Sequence, residues 1–191
     1  MKKLTLLILI PILSFGQIIK EGSRQIHLDF HTSGLIENIG ENFSKEQFKK
    51  ALKIGNVNSI NIFGKGHHGY SYYNTKIGTR HPHLKFDLLK EQIEACHEMG
   101  VTAQVYFTVG WSQKDADDHP EWILKDKNGT TNKLEILKKL GPNDRLPNFT
   151  WRLLAPSNGY DEFILRQVEE ICVNYDIDGF WFDILPVSYT H

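Results

Sequence analysis

The chain has 191 residues, of which 24% are charged and 12% are aromatic, and its formal net charge at pH 7 is −1. This balance gives no reason to expect a nucleic acid or an anionic membrane surface as partner. The two cysteines, Cys96 and Cys172, are too few for a disulfide framework. Both fall on apolar faces of predicted helices, so we expect buried free thiols.

The first 16 residues are predicted to be a signal peptide. Lys2 and Lys3 precede an apolar run from Leu4 to Leu13, and small residues follow before Gln17. The run is too short to span a membrane comfortably, and its layout is that of an export signal. We therefore expect a secreted or periplasmic protein with no membrane contact beyond export. An uncleaved N-terminal anchor is the alternative.

The rest of the chain, 17–191, alternates between predicted strands and helices. The elements are, in order, a strand at 24–30, a helix that begins at the N-cap Ser44, a strand at 59–63, a helix at 87–99, a strand at 101–108, a helix at 160–175 and a strand at 179–183. Such alternation is typical of an α/β protein with a parallel sheet. The loops after strands are long, and those before strands are short. This favours a (β/α)8 TIM-type barrel of which about the first four βα units are present.

An open, doubly wound sheet is the structural alternative to a barrel. No glycine-rich dinucleotide-binding fingerprint follows the first predicted strand, which leaves a nucleotide-binding version of that fold with little support.

Each predicted strand has an apolar face and a face that carries polar groups. The polar faces hold His27, Asp29 and His31, then Ser59, Asn61 and Phe63, then Gln104, Tyr106 and Thr108, and finally Trp181 and Asp183. Leu28 and Phe30 are expected on the opposite, helix-covered side. Buried parallel strands are normally apolar on both faces, and buried polar groups without partners are costly. The pattern therefore predicts a solvated or ligand-filled pocket.

Asp183 occupies the tip of the last predicted strand, beside Trp181 and before a loop. Catalytic residues of barrel enzymes lie where the parallel strands end, which makes this carboxylate the catalytic candidate. A carboxylate that merely caps the following turn is the simpler alternative.

Three segments together resemble a known family. They are His27-Leu28-Asp29-Phe30-His31-Thr32-Ser33, Gly66-His67-His68-Gly69-Tyr70 and Asp178-Gly179-Phe180-Trp181-Phe182-Asp183. They are similar to the N-terminal half of an α-L-fucosidase-like glycoside hydrolase barrel. The similarity is to family 151 and the hypothetical glycoside hydrolase 6 group, and more distantly to family 29, over about residues 24–186.

This resemblance implies a retaining glycoside hydrolase that acts on α-L-fucosides or a similar exo-glycosidic linkage. It places the catalytic nucleophile at Asp183 and implies a carbohydrate substrate, with no metal or cofactor. The side chains expected to contact the sugar are His31, His67, His68, Trp181, Asp29 and Tyr106.

The acid/base residue of such families comes from a later part of the barrel. A full barrel takes roughly 250 residues, whereas this sequence stops eight residues after its fourth predicted strand. We therefore expect a fragment of a glycosidase with open sheet edges that favour self-association, and whether it catalyses alone is left open. The acidic residues of the third βα loop, Asp115, Asp117, Asp118 and Glu121, have no spacing that selects one of them.

Two other functions compete with glycosidase chemistry. His27-x-Asp29-x-His31 and the histidines 67, 68, 81 and 83 could ligate zinc or manganese in a metal-dependent hydrolase. The tryptophans 111, 122 and 151 are instead suited to stacking on sugars, which favours the glycosidase. The third candidate is a non-catalytic glycan-binding or assembly module.

Overall fold

The structure is a computed structural model that describes residues 23–125, 128–129, 152–157 and 159–185. The predicted signal peptide and Trp151 lie outside these residues. Within them, no helix has the length and apolar character needed to cross a membrane.

Four parallel strands form the main sheet. They are β1 (Gln25–His27), β2 (Ser59–Lys65), β5 (Thr102–Thr108) and β6 (Gly179–Asp183), with the short strands β3 (Tyr70–Ser71) and β4 (Thr79–Arg80) beside the end of β2. The sheet order is β4-β3-β2-β5-β6, and β1 pairs with β2. The four parallel strands thus neighbour one another in chain order, as in a (β/α) barrel. The predicted α/β class and alternation are confirmed.

Helices occupy the connections between these strands. They are α1 (Lys45–Ile54), α2 (Leu88–Glu98), α3 (Gln113–Asp118) and α4 (Tyr160–Asn174), with a short 3-10 turn at Pro120–Trp122. The predicted N-cap is confirmed, because Ser44 Oγ accepts a hydrogen bond from the Gln47 N–H. Asp87 caps α2 in the same way, by accepting from the Lys90 N–H.

Gly100 ends α2 in the left-handed region, with φ of +67°. Its N–H donates to the His97 carbonyl, and the N–H of Val101 donates to the Cys96 carbonyl. This pair of bonds is the Schellman motif, which satisfies two carbonyls at the helix end and turns the chain directly into β5.

The main core lies between the sheet and its helices. Apolar side chains from alternate sheet positions meet those of α2 and α4, and they include Ile60, Ile62, Ala103, Val105, Phe107, Leu89, Ile93, Ile164 and Ile171. On the other face Phe63 and Tyr106 stack with ring centroids 4.1 Å apart. The predicted alternation is therefore confirmed for β5, for β6 and for β2 as far as Phe63.

The first strand is shorter than predicted. Pairing with β2 stops at His27, so the alternation of faces stops there too. Leu28 is exposed rather than helix-covered, and Phe30 turns to the pocket side, where its ring packs on Phe63 and Tyr72. The prediction that Leu28 and Phe30 face the helix layer is wrong for this reason.

The second strand extends two residues further than predicted and contains a bulge. Phe63 pairs with Tyr106, but Lys65 pairs with Phe107, so β2 carries one extra residue at Gly64. Only glycine fits there, because a Cβ would come within 2.7 Å of Val105 Cγ1. The bulge turns Lys65 away from the pocket and into the main core.

Two predictions on buried and exposed side chains need correction. Cys96 is buried and Cys172 is exposed, and both are free thiols. Helix α4 buries a narrow stripe that includes Ile171, and the next residue, Cys172, lies outside that stripe. Trp122 was expected to stack on sugars, but it is buried and packs on the rings of His119 and Tyr160.

Candidate active site

Asp183 lies at the carboxyl end of β6 and is held by two hydrogen bonds. Tyr106 Oη donates to its Oδ2 at 2.6 Å, and the Ile184 N–H donates to its Oδ1 at 2.8 Å. The side chain keeps 35% of its accessible surface. Each carboxylate oxygen thus accepts one bond, and the carboxylate remains reachable from the pocket.

The backbone after Asp183 is strained and closely packed. Ile184 has φ of +53°, a conformation that β-branched residues rarely adopt. Its carbonyl lies against Gly110, where no side chain could be accommodated. This tight crossing fixes the Ile184 N–H that holds Asp183.

His67 approaches Asp183 from the loop after β2, with its Nε2 3.8 Å from Asp183 Oδ2. Thr108 Oγ1 donates its only hydrogen to the Trp111 carbonyl at 2.7 Å. The contact of 2.8 Å between His67 Nδ1 and Thr108 Oγ1 must then have Nδ1 as its donor. The neutral His67 ring therefore carries no hydrogen on Nε2, which lies 3.4 Å from Tyr106 Oη, whose own hydrogen goes to Asp183.

His31 and His67 form a stacked pair of imidazoles, with centroids 3.8 Å apart and planes 13° from parallel. His31 Nδ1 also accepts from the His67 backbone N–H at 3.0 Å. Burial, together with the neighbouring His31, lowers the pKa of His67 to about 4. Burial also lowers the pKa of His31, despite the opposing effect of Asp29. Both rings are consequently neutral near pH 7.

Asp29 lies at the rim of the pocket between two histidines. Its Oδ1 is 3.2 Å from His27 Nε2 and 3.7 Å from His31 Nε2. His27 Nδ1 accepts from the amide of Asn61 at 2.8 Å, and the edge of its ring meets Trp181 at a centroid distance of 5.5 Å. Trp181 is 48% exposed beside this ring.

His68 follows His67 and is fixed through its main chain, since its carbonyl accepts from the Lys114 N–H at 3.1 Å. Burial, with a smaller effect of His81, lowers the pKa of His68. The predicted site residues Asp183, Tyr106, His67, His31 and Asp29 are thus brought together, and Trp181 joins them through His27.

Sequence reasoning assigned no role to Thr108, and it expected Trp111 to stack on sugars without foreseeing its contact with His67. Thr108 sits on the predicted pocket face of β5, so the sequence placed it correctly without assigning it a role. Its partner, the Trp111 carbonyl, is a main-chain group that no side-chain pattern reveals. Trp111 also sets the edge of its ring against His67, at a centroid distance of 5.1 Å.

The acidic residues of the third βα loop are engaged locally. Asp115 is buried in an ion pair with Lys65, and each of the others has a neighbouring partner: Asp117 with Gln113 and Arg152, Asp118 with Lys114, and Glu121 with His119. Across the part of the chain that the structure describes, no group of three histidine, cysteine, aspartate or glutamate side chains is arranged to hold a metal ion.

The parallel strands thus carry a carboxylate, a tyrosine and a stacked pair of histidines at their carboxyl ends. The family model "Hypothetical glycosyl hydrolase 6" matches residues 44–184, and the chain belongs to this family. The predicted resemblance to that group is confirmed. None of the curated proteins is a match to the chain.

Among solved structures, the chain is similar to α-L-fucosidase isoenzyme 2 from Paenibacillus thiaminolyticus, at 39% identity and a TM-score of 0.75, over 85% of this chain and 23% of that one. It is also similar to the noncanonic maltogenic α-amylase AmyB from Thermotoga neapolitana, at 17% identity and a TM-score of 0.53, over 86% of this chain and 39% of that one. A third similar structure is the Thermotoga maritima α-fucosidase, at 20% identity and a TM-score of 0.50, over 76% of this chain and 29% of that one. The last two support the fold alone, and the chain spans well under half of each of these proteins.

Proposed function

We propose that this chain supplies the nucleophile of a retaining glycosidase that cleaves α-L-fucosides or a similar exo-glycosidic linkage. The observation that carries the proposal is the Asp183 carboxylate, held at the end of β6 by Tyr106 and the Ile184 N–H beside neutral histidines. The similarity to a bacterial α-L-fucosidase at 39% identity supports the sugar.

Retention requires an ionised carboxylate that attacks the anomeric carbon and forms a glycosyl ester. Its two hydrogen bonds would fix the Asp183 carboxylate in one orientation for that attack. Burial and the bond to Asp183 raise the pKa of Tyr106, so its hydroxyl stays protonated and remains a donor at neutral pH.

Neutral histidines suit the recognition of sugar hydroxyl groups. A hydroxyl can donate to His67 Nε2, which Thr108 fixes as an acceptor. Trp181 offers an exposed apolar surface for the carbon face of the sugar. The proposed substrate-binding set therefore combines acceptors and an apolar wall, as sugar sites generally do.

A retaining mechanism also needs a second carboxyl group as acid and base, roughly 5–5.5 Å from the nucleophile. The acidic residues of the third βα loop are engaged elsewhere, as described above. The proposal therefore assigns the acid/base to none of them.

Labelling with a 2-fluoro-fucosyl fluoride tests the nucleophile without requiring an acid. Fluoride leaves unprotonated, and the 2-fluoro group slows hydrolysis of the glycosyl ester. We expect one label per chain, located on Asp183 by peptide mass spectrometry. Asp183→Asn should take no label, because the amide cannot form the ester.

Asp29→Asn is the matched control, since it removes the other carboxylate of the pocket. Asp29 is expected to contact the sugar, so labelling can slow, but the label should still be located on Asp183. A label on Asp29 of the wild type, or a folded wild type that takes no label, would contradict the proposal. Saturable binding of fucose without any label would instead favour a non-catalytic glycan-binding module.

A further inference from the structure

A buried ion pair lies in the main core, outside the pocket. Lys65 Nζ is 2.5 Å from Asp115 Oδ2, and their side chains are 0% and 3% exposed. Ser112 Oγ donates to the same oxygen at 2.6 Å. Replacing a buried ion pair with apolar side chains of similar volume is often neutral or stabilising. Fold stability alone therefore gives little reason to retain this one.

The ion pair ties β2 to α3, and α3 in turn holds the histidine loop. The backbone N–H groups of Gln113 and Lys114 donate to the carbonyls of His67 and His68, at 3.0 and 3.1 Å. The contact is close, because a Cβ at Gly69 would collide with the Ser112 hydroxyl. Any shift of α3 would therefore move the backbone of the two histidines.

The ring of His67 depends on the same segment of chain. Thr108 Oγ1 is the partner of His67 Nδ1, and the Trp111 carbonyl fixes the direction of that hydroxyl. Both the backbone and the tautomer of His67 are thus set by residues 108–114, and the Asp115 side chain anchors the end of this segment in the core.

We propose that the Lys65–Asp115 ion pair positions His67, holding segment 108–115 so that His67 Nε2 faces Asp183. Lys65 and Asp115 are positioning residues, since they act through α3 and the backbone of the histidine loop. The value of this arrangement for sugar binding rests on the proposed function. The geometric effect on His67 is independent of the proposed function.

The experiment uses NMR on the wild type and on Lys65→Met, which removes the ammonium group and keeps most of the side-chain volume. Amide exchange of Gln113 and Lys114 is compared with that of Ile93, in the interior of α2. We expect the first two amides to exchange about tenfold faster in Lys65→Met, beyond any change at Ile93, since the opening is local. The ring nitrogens of His67 should move from the fixed tautomer toward the average of both.

Lys45→Met is the matched control, because it removes a lysine from the surface pairs with Glu94 and Glu98. It should leave His67 and both amides unchanged. If Lys65→Met does not fold, Ser112→Ala removes a single bond to the same Asp115 oxygen. This variant should shift His67 in the same direction by a smaller amount.

Three results would overturn the proposal. One is a change at Gln113 and Lys114 no larger than at Ile93, and another is an unaltered His67 ring in folded Lys65→Met. The third is loss of folding in both Lys65→Met and Ser112→Ala, which would make the pair a general stabilising element. The labelling of Asp183 is a separate measurement, so failure of the proposed function and failure of this positioning role give different results.

Discussion

The stacked imidazoles His31 and His67 cannot both be protonated without placing two positive charges in van der Waals contact. Burial lowers the pKa of each ring, and Thr108 and the His67 backbone N–H are satisfied by the neutral forms. The pocket therefore favours neutral histidines through its geometry as well as through its burial.

We expect the free energy of unfolding to fall as pH drops from about 6.5 to about 4. The pKa of His67 is lowered from 6.5 to about 4 on folding. In this interval the unfolded chain binds a proton that the folded chain excludes, so acid favours unfolding. Urea denaturation at a series of pH values measures the effect. His67→Gln should reduce the slope, and equal slopes in the wild type and His67→Gln would contradict the prediction.

The two thiols should react very differently in the folded protein. Cys172 is exposed and should react promptly with an aromatic disulfide reagent. Burial raises the pKa of Cys96 to about 12, so that thiol should react only on unfolding. A spectrophotometric titration with and without denaturant measures both classes, and Cys172→Ser should remove the fast one. Two thiols that react together in the native state would be inconsistent with this prediction.

Among the elements, the end of α2 offers a test of backbone conformation. Gly100→Ala should lower the free energy of unfolding by about 1–2 kcal/mol, because the left-handed conformation at φ of +67° is unfavourable for alanine. Gly55→Ala, at the end of α1, is the control for φ, since Gly55 has a helical φ of −72°; its new Cβ would lie 3.2 Å from the Val57 side chain, which must give way slightly. Thermal denaturation should show a clear loss for the first variant and little change for the second. Equal effects would show that φ is not the cause.

Helix ends and strand faces could be predicted from the sequence because their causes are local. Ser44 and Gly100 cap helices by chemistry that neighbouring residues reveal. The end of β1 at His27 could not be predicted, since it depends on where the pairing with β2 stops. The bulge at Gly64 was equally hidden, because it reflects the fit against Val105.

In the candidate site, too, locally determined features could be predicted and those set by long-range contacts could not. Alternation along β5 and β6 placed Tyr106 and Asp183 on one face, and the structure joins them by a hydrogen bond of 2.6 Å. The tautomer of His67 could not be predicted, because it is set by Thr108 and a main-chain carbonyl across the pocket. Long-range backbone contacts leave no pattern in the sequence.

For the molecule as a whole, we expect the edge of β6 to govern association. Among the described residues β6 pairs with β5 alone, and Trp181 and Phe182 on it are 48% and 42% exposed. We expect this chain to self-associate through that edge, with a mass that rises with concentration in light scattering. Phe182→Lys should suppress the effect by placing a charge on the edge.

Leu165→Lys is the control for this association, because Leu165 is also apolar and, at 67%, more exposed than Phe182, but lies on α4. It should leave association unchanged. A monomer at every concentration would contradict the prediction, and equal effects of the two lysine variants would point to general solubility.

The bulge at Gly64 has a consequence for sequence change in β2. Upstream of it, odd-numbered residues point into the pocket, and the extra residue reverses that parity so that Lys65 points out. Deleting Gly64 would put Lys65 directly after Phe63, so simple alternation would still carry its ammonium group to the core side, where Asp115 lies. If β2 instead ran without a bulge and kept Gly64, residue 65 would share the face of Phe63, which would place a cation on the pocket side and leave an uncompensated anion in the core.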